Sequence, residues 1–94
     1  MDEEIVRARA VARGRVQMVG FRAFVMRHAR DSGLRGLVRN VHDGTVECIV
    51  EGPTSAVERI LDVLRRGPSS ARVERVDVEY EAPAGDLPLM SVTA

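Results

Sequence analysis

Seven residues bounded by glycines, Gly14-Arg15-Val16-Gln17-Met18-Val19-Gly20, run directly into Phe21-Arg22 at the start of a helical pattern. Successive backbone N–H groups in a tight loop, aimed together at a helix N-terminus, make a cradle for an anion. Arg22, in the first helical turn, adds a planar fork of donors able to hold two phosphate oxygens at once. The chemistry on offer is oxyanion binding. From spacing alone a plain strand-to-helix turn stays open beside it, with Arg22 a solvated first-turn residue.

The elements around the loop must position it. Residues 5–13 alternate, with Val6, Ala8, Ala10 and Ala12 on one face and Arg7, Arg9, Val11 and Arg13 on the other, which predicts a half-buried strand. Phe21, Phe24, Val25 and Ala29 follow at helical spacing, and Ser32-Gly33 ends that helix. Residues 35–42 and 45–51 flank Asp43-Gly44, a strong hairpin signal. A two-residue turn would bury the Arg39 guanidinium opposite Cys48, which is costly. The turn His42-Asp43-Gly44 instead sets Arg39 opposite Glu47 and puts Val38 and Asn40 on the face of Val46, Cys48 and Val50. Asn40 is then an amide at the exit of an apolar face, in need of a partner.

Gly52-Pro53-Thr54-Ser55 opens a second helix, where Ser55 and Glu58 have capping-box spacing and Val57, Ile60, Leu61 and Leu64 form the apolar stripe. Gly67-Pro68 stops it. In 71–80 the alternation slips by one near Glu74-Arg75, which predicts a strand with a bulge, and residues 88–93 suggest a short edge strand. The order β-α-β-β-α-β is the split βαβ plan of an α+β, ferredoxin-like sandwich, with two helices on one face of an antiparallel sheet. That plan hosts many functions and names none.

With 94 residues the chain is expected to be a single domain, 1–94, which excludes a two-domain enzyme. Every one of its 14 basic residues is Arg, balanced by 14 acids; residues 1–40 carry nine Arg against four acids, so an anionic ligand favours the first half. One cysteine, no apolar run of membrane-spanning length and the acidic start Met1-Asp2-Glu3-Glu4 lead us to expect a reducing cytoplasm, with no membrane partner.

The motifs Gly14-Arg15-Val16-Gln17-x-Val19-Gly20-Phe21-Arg22, Gly36-x-Val38-Arg39-Asn40, Asp43-Gly44-x-Val46-Glu47, Glu51-Gly52-Pro53 and Gly67-Pro68-x-x-Ala71-x-Val73 resemble the acylphosphatases, in order and at the right spacing over nearly the whole chain. The resemblance implies a small enzyme that hydrolyses the mixed anhydride of a carboxylic acid and phosphate, without metal or cofactor. Its substrate would be a small-molecule acyl phosphate and its product inorganic phosphate. Carried over residue by residue, Arg22 is the phosphate-binding arginine, the backbone of Gln17, Met18, Val19, Gly20 and Phe21 is the cradle, and Asn40 is the water-orienting asparagine. Met18 stands where the family usually has glycine, and a side chain there is expected to narrow the loop or oppose a positive φ. Leu37 and the segment Leu89-Met90-Ser91-Val92 lack aromatics often found in the family. A monomer is expected.

Other residues have simpler readings. His28 is a surface residue, His42-Asp43 is turn chemistry, neither has a second cluster to make a zinc site, and Cys48 is a small core hydrophobe. A nucleic-acid-binding module shares the plan, but the exposed faces of the central strands offer no aromatics for bases to stack on, so no nucleic-acid partner is expected. A second alternative is a catalytically weak relative that binds phosphate and serves regulation.

Overall fold

Alanines alternating with arginines make a strand with one face open to close packing. In the computed structural model, which describes residues 3–93, this strand is β1 (Ile5–Arg15), and Ala8, Ala10 and Ala12 are fully buried on its inner face. It is followed by α1 (Phe21–Ala29), β2 (Arg35–Asn40), β3 (Val46–Pro53), α2 (Thr54–Arg66), β4 (Arg72–Glu81) and β5 (Ser91–Thr93). The strands form one sheet in the order β4-β1-β3-β2-β5. Phe21, Val25 and Ala29 of α1 and Val57, Ile60, Leu61 and Leu64 of α2 join the strand alanines, Val38, Val46, Cys48 and Val50 in one core. Burial of these apolar side chains is the main term holding the helices on the sheet. No helix among the described residues is long and apolar enough to cross a membrane.

The hairpin follows the three-residue turn. Arg39 lies opposite Glu47 and Asn40 opposite Val46, while the Val41 N–H donates to the Thr45 carbonyl at 2.9 Å and the Gly44 N–H to the Val41 carbonyl at 3.0 Å. The slip in β4 is a bulge: β1 pairs Arg13 with Arg75 and then Gly14 with Val73, leaving Glu74 extra. Gly14 is required there, because a Cβ at that position would sit 2.2 Å from the Arg72 carbonyl oxygen. The bulge redirects the chain out of β1 and into the loop.

Four expectations are corrected. The sheet is mixed, since β5 pairs in parallel with β2. Its strand covers only Ser91–Thr93, preceded by an isolated antiparallel bridge between Leu89 and Arg35. The Ser55/Glu58 capping box does not form. Glu3 reaches the start of α2 first, because the antiparallel pairing of Ile5 with Pro53 brings it alongside: its carboxylate accepts the Ser55 N–H and hydroxyl at 2.9 and 2.8 Å. That places a negative charge at a helix N-terminus, where the dipole favours it. Phe24, which has core spacing, is only half-buried; its ring meets His28 edge-on at 4.7 Å and lies under the guanidinium groups of Arg27 and Arg66.

The face away from the helices also differs from a plain solvated face. Glu47 and Glu51 are buried on it. Glu47 pairs with Arg39 at 2.7 Å and Arg9 at 3.6 Å, and Arg7 stands among Glu51, Glu81 and Asp86. Hydrogen bonds pull several carboxyls below their ordinary values: the Ala84 N–H on Glu51, Arg7 on Asp86, Arg13 on Asp77, and the Thr45 hydroxyl on Asp43. A carboxyl depressed in the folded state stabilises the fold above its unfolded value, and that contribution is lost as pH falls through the folded value. Thermal midpoints are therefore expected to hold above the ordinary carboxylate range and to fall steadily below it. A midpoint flat down to about pH 3 would contradict this.

Candidate active site

The loop hangs between two buried side chains, Val16 and Phe21. Between them Met18 (φ 62°) and Gly20 (φ 75°) both take left-handed conformations, the type of backbone that turns neighbouring N–H groups inward to form an anion nest. Gly20 is also the residue on which α1 starts, its carbonyl accepting the Phe24 N–H at 3.0 Å. Among the described residues, no oxygen accepts a hydrogen bond from the backbone N–H of Gln17, Met18, Val19, Gly20 or Phe21. Five main-chain donors at a positive helix end thus stand without a protein partner.

Two side chains fix this backbone from outside. The Gln17 carboxamide donates to the Val41 and Thr45 carbonyls at 2.7 and 2.9 Å, tying the loop to the hairpin turn. The Ser70 hydroxyl donates to the Val19 carbonyl at 2.7 Å. The Gln17 side chain is thus a brace, and the Val19 side chain packs on the core. Sequence reasoning did not find Ser70; its only signal was its place within the Gly67-Pro68-x-x-Ala71 run.

Met18 satisfies the positive φ and does not close the loop, since its side chain is 99% exposed. The left-handed conformation costs a non-glycine residue about 1 kcal/mol. Met18→Gly is accordingly expected to raise stability by about 1 kcal/mol, seen as a higher urea midpoint at unchanged m. A lowered midpoint would show that the thioether makes a compensating contact.

Met18, Gly20, Phe21, Arg22 and Asn40 meet around one cleft of roughly 260 Å³, walled by Val16, Ala23 and Val92. Arg22 is half-buried, and its guanidinium donates to the Thr93 carbonyl of β5 at 3.1 Å. That contact fixes the plane of the fork and leaves further N–H groups for a ligand. Asn40 is half-buried at the end of β2. No polar side-chain atom among the described residues is sealed away unpartnered, and the Asn40 carboxamide is open to the cleft. Thr93 and Val92 are parts of the site that the sequence left unassigned.

Cys48 lies outside the cleft, fully buried, and burial pushes its thiol up to about 12, so it is neutral at physiological pH. Among the described residues no group of three His, Cys, Asp or Glu side chains is placed to hold a metal ion. The arginines of the open sheet face, Arg7, Arg9 and Arg39, are paired with carboxylates.

The comparisons with known proteins agree with this geometry. The family described as Acylphosphatase matches residues 8–87. An acylphosphatase of Deinococcus radiodurans is 50% identical over 80 residues, covering 85% of this chain and 92% of its own. One from Moorella thermoacetica is 50% identical over 82 residues, covering 87% and 88%. The crystal structure of acylphosphatase from Bacillus subtilis matches with a TM-score of 0.89 at 31% identity, over 95% of this chain and 99% of that one. Loop and hairpin lie inside residues 8–87, and the chain belongs to the acylphosphatase family.

Proposed function

We propose that the hydrolysis of acyl phosphates, the activity of this family, takes place in the cleft between the Gln17–Phe21 loop and Asn40. The phosphoryl group lies on the N–H groups of Gln17, Met18, Val19, Gly20 and Phe21, and Arg22 holds two of its equatorial oxygens. The Asn40 carboxamide oxygen accepts a hydrogen bond from the attacking water and aims it in line with phosphorus. The observation that carries this reading is the convergence in one cleft of unpartnered main-chain donors, a guanidinium and a free carboxamide.

An acyl phosphate already carries a good leaving group, so no strong acid is needed; the barrier lies in positioning water and in holding charge on the equatorial oxygens. Water oxygen bonds to phosphorus as the bond from phosphorus to the bridging oxygen breaks. The electron pair leaves with the carboxylate, which can take up the water proton on departure. The products are a carboxylic acid or its anion and inorganic phosphate.

The acyl group points to the cleft mouth, where Met18 and Val92 are exposed. A grip confined to the phosphoryl group suits many small acyl phosphates. We place the chain as a single-domain monomer in a reducing cytoplasm, a reading supported by a sequence of 94 residues with one cysteine, Cys48, which is free and buried.

The test is a titration with inorganic phosphate followed by amide chemical shifts, alongside steady-state hydrolysis of benzoyl phosphate in the presence of a chelator. Shifts centred on residues 17–22 together with turnover support the reading. Shifts centred elsewhere overturn the site, and binding without turnover overturns the enzymatic role in favour of a regulatory one.

A further inference from the structure

Glu51 sits on the sheet face opposite the helices, and the mechanism makes no use of it, yet its run Glu51-Gly52-Pro53 is one of the motifs that mark the chain. It is only 7% exposed. Its two carboxylate oxygens accept the N–H groups of Ala84 and Gly85, each at 2.9 Å. The Arg7 guanidinium stands 3.5 Å from the same carboxylate and donates to Asp86 at 2.7 Å. One buried carboxylate and one arginine thus clamp the turn at 84–86.

From that clamp the chain leads straight to the cleft. Leu87 is buried, and its carbonyl accepts from Arg35 at 3.2 Å. The Pro88 carbonyl accepts the Gly36 N–H at 2.7 Å. β5 then pairs in parallel with β2 for three residues and presents the Thr93 carbonyl to Arg22 at 3.1 Å. A three-residue edge strand has little hold of its own, and ordering the segment before it costs conformational entropy. An anchor at 84–86 shortens the free span that must be closed to dock β5.

We infer that Glu51 is a positioning residue for the hydrolysis: by clamping the Ala84–Asp86 turn it keeps β5 docked, so that the Thr93 carbonyl holds the Arg22 fork ready for phosphate. The inference rests on the reading that Arg22 grips the phosphoryl group. With the clamp released, Arg22 enters the free state with more rotamers, and phosphate must freeze them. The loss therefore appears in binding and KM more than in kcat.

The experiment is a double-mutant cycle read by the affinity for inorganic phosphate, with Glu51→Gln made in the natural chain and in Arg22→Ala. Glu51→Gln is expected to weaken phosphate binding about threefold to tenfold, the cost of immobilising one rotamer-rich side chain. KM for benzoyl phosphate should rise by the same factor, with kcat within about twofold. In the Arg22→Ala chain the same change should have no further effect on phosphate affinity. Unchanged affinity in the natural chain overturns the inference, as does equal weakening with and without the guanidinium. Should Glu51→Gln fail to fold, Asp86→Asn, which removes the exposed end of the clamp, is expected to move affinity the same way by a smaller factor, and no movement overturns the inference. If Arg22→Ala itself leaves phosphate affinity intact, it is the reading of the site that fails.

Discussion

Arg22→Ala is expected to lower kcat/KM for benzoyl phosphate on the order of 10³-fold or more. The guanidinium is the one full positive charge in the cleft lining, and the phosphoryl oxygens carry their greatest demand for donors when the bond to the leaving group is stretched. A single neutral oxyanion donor is worth about 10²- to 10³-fold in kcat. A charged fork on two oxygens exceeds that. Arg22→Lys should recover only part of the loss, because an ammonium supplies the charge without the bidentate geometry. Stability should change little, since Arg22 is half-buried and its described hydrogen bond is the one to Thr93. A loss below about tenfold in a folded Arg22→Ala protein would remove the residue from the mechanism.

The second large effect belongs to Asn40. In the proposed mechanism its carboxamide orients water and does not hold the phosphoryl group in the ground state. Asn40→Ala should therefore cut kcat by about 10²- to 10³-fold while KM and phosphate affinity stay within about threefold. The split is what separates it from Arg22, whose loss must show in phosphate affinity as well. Asn40→Asp should be no better than Ala: a carboxylate accepts a water proton, but it faces a phosphoryl dianion across the cleft and repels it. Equal losses in kcat and in phosphate affinity for Asn40→Ala would place this side chain on the phosphate instead of on the water.

Much of this molecule could be read from its sequence because the deciding interactions are local. The hairpin turn followed from the cost of burying Arg39 against Cys48, and β2 and β3 pair accordingly. The loop announced itself by its glycines, and the slip in β4 by two valines out of phase. What stayed hidden depends on partners far apart along the chain. Arg22 meets Thr93 across 71 positions, Ser70 meets Val19 across 51, and Glu51 meets Ala84 across 33; no periodicity encodes such pairs. The failed capping box has the same origin, a local motif outcompeted by Glu3 brought in through strand pairing. The parallel docking of β5 was likewise invisible, since three residues carry too short a pattern to reveal direction.

The proposed grip of peptide groups has a consequence for how this sequence can drift. At the exposed position 18 almost any side-chain replacement leaves the donors where they are, for every residue except proline brings its own N–H, whereas Gln17 braces the loop and Phe21 is buried. Met18 is such a replacement, tolerated at the cost of an uncomfortable backbone angle. Selection on this stretch therefore acts on the path of the main chain, and a library randomised at position 18 should lose function chiefly through proline and through bulky branched residues forced into a left-handed conformation.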